Sequence, residues 1–259
     1  TRDPTAHGLE FSTKPHVDNK DIINDLRQLI LAGGKHVDDE SGRLTGLVAI
    51  PDSKMSRKVK GRYTRMTGDV AGGHIHTDLP VKGDFVGARH KSKHKKLEEQ
   101  ALVGSLGSVL AHLTAPGSKL RATGHGGKYG TKPISQEKLT KWPQSELGLP
   151  GIGVETLELR SAPSFAASPS LAQATLDQTR LLLQNPDAYE IARRYMQKNR
   201  GLTPRDLHTD AKKKVEVLKK IEEINTKAGV TSDKALNTVF ERAARNETFA
   251  DEALDLMNT

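Results

Sequence analysis

Three short segments of the chain alternate apolar and polar residues, which is the pattern of a strand with one buried face. In Val154–Pro163 (VETLELRSAP), two leucines alternate with Glu158 and Arg160, and residues 8–15 and 72–80 repeat the arrangement. We therefore predict three strands that share a sheet. One face of this sheet is expected to be covered by helices, and the other to carry polar, functional side chains.

The polar positions of these strands suggest a particular chemistry. Glu158 and Arg160 are two positions apart, so a rigid strand would hold them as a pre-organised charged pair. A carboxylate is a ligand for Mg²⁺ and a guanidinium binds phosphate oxygens, so the pair suits a metal–phosphate complex. On residues 72–80, His74, His76 and Asp78 fall on one face.

Apolar residues at helical spacing predict a series of helices. Gly33 and Gly34 are expected to end the first, and Gly104 and Gly107 to admit another backbone close to the second. The predicted helices are 19–31, 97–113, 170–183, 186–199, 204–227, 233–246 and 248–257. A further strand is predicted at 44–50, and irregular loops at 52–65, 83–96 and 116–150.

Composition narrows the choice of function classes. The 259 residues include no cysteine, which excludes disulfides, thiolate metal sites and cysteine nucleophiles and fits a cytoplasmic protein. No apolar run is long enough for a membrane span, and the first residues do not resemble a signal peptide. The missing initiator Met suggests a processed or excised chain.

The formal net charge of +8 predicts either an anionic partner or simply a solvated, lysine-rich surface. Residues 90–96 are the densest basic stretch, and they are expected either to contact a phosphate or nucleic-acid backbone or to form a solvated loop.

We predict two regions. Residues 1–184 are expected to form an α+β domain with a mostly antiparallel, curved sheet and helices on one side. Residues 185–259 are expected to form an α-helical appendage, either a solvated bundle or a surface for an oligomer or a larger assembly.

The order of the motifs resembles the glutamate–cysteine ligase-like amidoligases, carboxylate–amine ligases related to glutamine synthetase. The resemblance covers residues 6–183 and rests on LEFSTKP, GGHIH, KYG and LELRS. It implies an ATP- and Mg²⁺-dependent enzyme that joins a small-molecule or peptide carboxylate to an amine through an acyl phosphate. It also implies the glutamine synthetase-like curved sheet.

The resemblance assigns metal ligands by matching motif positions. Glu10 and Glu158 would bind Mg²⁺, and His76 would lie at the edge of the metal cage as a catalytic residue. Family members begin with a further G-x-E-x-E strand, which is absent upstream of Glu10. We expect that strand to have been removed, to lie on another chain, or to have been lost together with full activity.

The resemblance also assigns the nucleotide contacts. Arg160 and Arg121 would bind the transferring phosphate as catalytic residues, and Lys128 and Tyr129 would contact ATP. The glycine-rich segment 124–130 that holds the last two is interpreted either as a mobile lid or as a surface loop.

Other interpretations of the same residues remain open. His74, His76 and Asp78 suit zinc or another transition metal, or are plain exposed strand residues. A histidine-based, metal-dependent nuclease would use His74, His76 or His125 with a basic side chain on the phosphate. A non-catalytic component of a larger assembly would use a degenerate amidoligase fold as a scaffold.

Overall fold

A computed structural model describes part of the chain. The described residues are 13, 16–41, 56–59, 62–65, 72–78, 91–114, 133–134, 138–142, 154–163, 168–230, 234–247, 249 and 251–252. In the strands, the described side chains are those of Ile75 and Leu159.

Seven helices and five strands lie in this part of the chain. The helices are α1 Asn19–Ser41, α2 Lys91–Thr114, α3 Pro169–Gln184, α4 Pro186–Lys198, α5 Pro204–Thr209, α6 Ala211–Lys227 and α7 Lys234–Ala244. The strands are β1 Ser56–Val59, β2 Arg62–Arg65, β3 Gly72–Asp78, β4 Lys138–Trp142 and β5 Val154–Pro163.

The predicted fold class is wrong. Most of the described residues are helical, and the strands form only a two-stranded hairpin, β1–β2, and a three-stranded antiparallel group in the order β3–β5–β4. The described fold is therefore not built on a mostly antiparallel, curved sheet. The physical reason is that most apolar residues stand at helical spacing, and these residues form the core.

Helix α2 lies at the centre of the described structure. Every residue from 101 to 113 is buried, so the helix has no solvent-facing side over these turns. One side packs on β5 and other sides contact α3, α4, α5 and α7. A helix that is apolar nearly all round is buried on all sides, and α2 is accordingly placed between the strands and the remaining helices.

The two mid-helix glycines of α2 explain how closely its neighbours approach. A Cβ built on Gly107 would lie 2.2 Å from Thr179 Oγ1 and 2.9 Å from Thr179 Cα. A Cβ built on Gly104 would lie 3.0 Å from Leu159 Cδ1. The prediction that these glycines admit a neighbouring backbone is thus confirmed at Gly107, where α3 crosses, while Gly104 accommodates a side chain of β5.

The C-terminal helices share one hydrophobic core with α2 and α3. The cluster of buried apolar residues runs from Leu102 in α2 to Phe249, which follows α7, and includes Met196 of α4 and Ile221 of α6. The predicted boundary at 184/185 stays a prediction, but residues on both sides of it contribute to this core.

Helix caps set the boundaries of the C-terminal helices. Asn185 ends α3 and also begins α4, where its Oδ1 accepts hydrogen bonds from Asp187 N and Ala188 N, each at 3.0 Å. The predicted single helix 204–227 is wrong, because Asp210 ends α5 and caps α6. Its side-chain oxygen accepts from the first backbone N–H groups of α6, which favours a new helix start at that residue.

Other sequence predictions are also corrected. Helix α1 continues through Gly33 and Gly34, since glycine disfavours the helical conformation without forbidding it. Residues 91–96 belong to α2, residues 52–65 include the β1–β2 hairpin, and residues 116–150 include β4. The strands predicted at 8–15 and 44–50 lie outside the described residues, apart from Thr13. None of the described helices combines the length and the apolar character needed to span a membrane.

Candidate functional site

The register of β3, β5 and β4 brings predicted site residues into one row. His76 of β3 is the direct partner of Glu158 of β5, and Lys138 of β4 is the partner of the same glutamate on its other side. Directly opposed residues in an antiparallel pair have their Cβ atoms only about 4.5–5.5 Å apart. The register therefore places a histidine, a glutamate and a lysine position side by side across three strands.

A bulge lies next to this row. Gly73 pairs with Ala162, whereas Ile75 pairs with Leu159, so Arg160 and Ser161 stand together opposite His74. Such an extra residue bends the strand and re-aims local side chains, and bulges are over-represented beside active sites. Arg160, the predicted phosphate ligand, is thus one of two residues at the irregular point of β5.

The opposite face of the β3–β5 pair is anchored in the interior. Ile75 and Leu159 are direct partners, they are buried, and they form a small apolar cluster with Ala101 of α2. Because strand positions alternate between faces, His76 and Glu158 occupy positions of the face that does not bear Ile75 and Leu159. This part of the predicted design, with one face against a helix and polar positions on the other, agrees with the register.

Glu10, Arg121, Lys128 and Tyr129 lie outside the described residues, as does the glycine-rich segment 124–130. Lys91 begins α2, so the basic stretch 90–96 is helical from that residue onward. Among the described side chains, no three or more of His, Asp or Glu are grouped to hold a metal ion. The carboxylates and imidazoles of the strands are not among these described side chains.

Sequence reasoning missed Lys138. It was assigned to an irregular loop, but the segment Lys138–Trp142 (KLTKW) pairs with β5 along its whole length. The alternation of Lys138, Leu139 and Thr140 was the available signal, although five residues are too few to distinguish a strand from a loop by pattern alone.

Large pKa shifts among the described groups belong to carboxylates in surface ion pairs of the helices and to the buried phenol of Tyr195. Hydrogen bonds from Arg193 and Arg194 lower the pKa of Glu190 to about 2, and hydrogen bonds from Lys220 and Lys227 lower the pKa of Glu223 to about 2. Burial, with Glu216 nearby, raises the pKa of Tyr195. The ion pairs of Glu190 and Glu223 follow helical i, i+3 and i, i+4 spacing, and they stabilise the helices to which they belong.

Comparisons with known proteins return nothing: no family model, no curated protein and no solved structure matches this chain. The candidate site therefore depends on the residues and the register alone.

Proposed function

We propose that the chain is an ATP- and Mg²⁺-dependent carboxylate–amine ligase whose reaction centre lies on the β3–β5 pair. The observation that supports this most is the register. Residues of two motifs that are about eighty positions apart in the sequence, His76 and Glu158, are direct strand partners, and Arg160 stands opposite His74 beside them.

The proposed roles follow from the chemistry of each side chain. Glu158, together with Glu10, would hold Mg²⁺, and His76 would lie beside that site. The metal ion would neutralise charge on the ATP phosphates. Arg160 and Arg121 would bind the phosphoryl group, since a guanidinium matches phosphate oxygens in a bidentate manner. Lys128 and Tyr129 would contact the nucleotide.

The proposed reaction has two steps. A substrate carboxylate oxygen attacks the γ-phosphorus of ATP, the bond to the β,γ-bridging oxygen breaks, and an acyl phosphate and ADP result. An amine then attacks the acyl carbon, the C–O bond to phosphate breaks, and the amide and inorganic phosphate are released after loss of a proton from nitrogen. Positioning and charge neutralisation supply most of the rate in such transfers. We place the activity in the cytoplasm, which the cysteine-free sequence supports.

The test is nucleotide binding by the full chain. We expect ATP with Mg²⁺ to raise the free energy of unfolding by about 2.7 kcal/mol at 100 times its dissociation constant. Glu158→Gln and Arg160→Ala should lose this stabilisation. Glu155→Gln is the matched control, because it makes the same carboxylate-to-amide change three positions away on β5, where the partner is Lys141.

Three results would contradict the ligase proposal or the interpretation of its variants. If ATP with Mg²⁺ leaves the wild-type melting temperature unchanged, the ligase proposal is wrong. If Zn²⁺ alone stabilises the chain, and His76→Ala but not Arg160→Ala removes the effect, a transition-metal site replaces it. If Glu155→Gln is as damaging as Glu158→Gln, the loss reflects the stability of β5 and not a nucleotide site.

A further inference from the structure

Positive charge is concentrated where α4, α5 and α6 meet. We call residues 198–214 the basic junction. This stretch of 17 residues contains six Lys and Arg residues against two acids. The basic residues are Lys198, Arg200, Arg205, Lys212, Lys213 and Lys214. Of these, Lys198, Arg200, Arg205 and Lys212 are exposed.

Tertiary contacts gather these residues at one place on the surface. Lys213 Nζ donates to Asn199 Oδ1 at 3.0 Å, which fixes the start of α6 beside the end of α4. Asp210 N donates to Asp206 O at 3.0 Å, so α5 leads directly into α6. The end of α4, the short α5 and the first turn of α6 therefore form one continuous surface.

The two acids of the junction are engaged in capping. Asp206 Oδ2 accepts from Thr203 N at 2.8 Å and from Thr203 Oγ1 at 2.7 Å. Asp210 Oδ1 accepts from the backbone N–H groups of Lys212 and Lys213. Both carboxylates point to helix starts, where the helix dipole offsets their charge. Lys213 is paired with Glu216 at 3.2 Å, whereas no ion pair with a described side chain involves Lys198, Arg205 or Lys212.

The lysines of α6 stand where a helix least favours them. Lys212, Lys213 and Lys214 occupy the first turn, which contains no acid. Cations at that end oppose the helix dipole and reduce helix stability. Lys214 is also partly desolvated, and burial lowers its pKa. Hydrogen bonds to Asn199 and Asn246 partly offset this cost at Lys213 and Lys214. Lys212 is exposed and its ammonium group makes no such contact with a described side chain, so its position is better explained by binding than by stability.

We propose that the basic junction binds the phosphate backbone of nucleic acid without reading its sequence. Ammonium and guanidinium groups release the counterions condensed on nucleic acid, which gives affinity that depends steeply on salt. Residues 198–214 contain no Phe, Tyr or Trp, and the ring of the neighbouring Tyr195 is buried, with Lys220 Nζ 5.9 Å from its centroid. It is therefore closed to base stacking, and the contacts are to phosphates.

The experiment is a fluorescence-anisotropy titration of the full chain with a labelled 20-base-pair DNA duplex of mixed sequence, at several salt concentrations. The test variant is Lys198→Gln/Arg205→Gln/Lys212→Gln. The matched control removes three exposed charges outside the junction: Lys20→Gln/Arg27→Gln/Lys234→Gln. We expect the test variant to bind at least tenfold more weakly than the control at 50 mM salt. Its slope of log K against log salt should be smaller by about 2–3.

A single substitution separates binding from folding. Lys212→Glu should weaken duplex binding while leaving the melting temperature unchanged or raised, because the new acid suits the start of α6. Equal weakening by the test and control triples, or no binding by the wild type at 50 mM salt, would overturn the proposal. So would equal competition by poly-glutamate at matched charge, since the surface would then recognise acidic polypeptide as well as phosphate.

Discussion

Gln178 of α3 and Asn225 of α6 exchange two hydrogen bonds in the buried interior. Gln178 Nε2 donates to Asn225 Oδ1 at 2.9 Å, and Asn225 Nδ2 donates to Gln178 Oε1 at 3.0 Å. Both side chains are at most 2% exposed. Two amides that satisfy each other remove the desolvation penalty that either would incur alone, and they fix how α3 and α6 meet.

Removal of both amides should therefore cost less than the sum of the two single removals. We expect Gln178→Ala to lower the free energy of unfolding by about 1–3 kcal/mol beyond the packing loss, since Asn225 is left buried without its partner. The double variant Gln178→Leu/Asn225→Leu should lose less than the sum of the two single leucine variants. Chemical denaturation of the wild type and these four variants measures this coupling, and strict additivity of the leucine variants would show that the two amides act independently.

Gly107 should tolerate no side chain. A Cβ there meets both the side chain and the Cα of Thr179, so Gly107→Ala requires α3 to move. We expect a loss of about 1–3 kcal/mol, despite the better helix propensity of alanine. Gly104→Ala should cost less, because its contact is the flexible end of Leu159.

Gly201→Ala is the control for this prediction. No atom lies within 4 Å of a Cβ built there, and its backbone is not in the left-handed region. Stability should stay the same or rise by about 0.4–1 kcal/mol through lower entropy of the unfolded chain. Thermal unfolding of the three alanine variants checks the order. A Gly107 variant as stable as the Gly201 variant would contradict the close approach of α2 and α3.

Acid should destabilise the helical region within a defined pH range. Hydrogen bonds from basic side chains hold the pKa values of Glu190, Glu223 and Asp251 at about 2. Since these values lie below those of the unfolded chain, the unfolded state binds more protons as the pH falls, and stability is lost from about pH 5 downward. The exposure of these pairs keeps each contribution modest.

The measurement is the melting temperature between pH 6 and pH 2. The variant Glu190→Gln/Glu223→Gln/Asp251→Asn should begin with a lower melting temperature at pH 6 and show a shallower fall. The control Glu222→Gln, an exposed change on the same helix as Glu223, should follow the wild-type curve. Parallel curves for the triple variant and the wild type would show that other groups control acid unfolding.

A substitution in the first turn of α6 should raise the free energy of unfolding. Lys212→Glu places an acid at the positive end of the helix dipole, and we expect a gain of about 0.3–1 kcal/mol at low salt that shrinks as salt is added. Lys219→Glu, an exposed change in the middle of the same helix, should give no such gain. Denaturant unfolding at two salt concentrations separates the dipole effect from general charge reduction. General charge reduction would act equally at Lys212 and Lys219.

Local structure was largely predictable from the sequence. The strand Val154–Pro163 has the predicted bounds, and the caps at Asn185 and Thr203 start helices at the predicted prolines. These features depend on side-chain period and on hydrogen bonds between near neighbours, which the order of residues specifies directly. The break at Asp210 was missed because a cap inside a continuous helical pattern looks like an ordinary polar residue.

The register of the candidate site required the tertiary structure. The sequence shows that His76 and Glu158 lie on polar strand faces, but a slip of one residue would have moved either to the other face. The burial of Ile75 against Leu159 sets the alignment, and the bulge then brings Arg160 opposite His74. Lys138 joins this row because β4 pairs with β5. The weak alternation of five residues was not enough to predict that pairing.

The sequence by itself determined the helical periods, the caps at Asn185 and Thr203, the bounds of β5 and the excess of positive charge, because each is a property of neighbouring residues. The tertiary structure alone decided that α2 is buried on every side, that strands form a minor part of the described fold, and that Gln178 meets Asn225. These outcomes depend on which apolar surfaces bury one another across long stretches of chain, and that choice is made by packing rather than by local pattern.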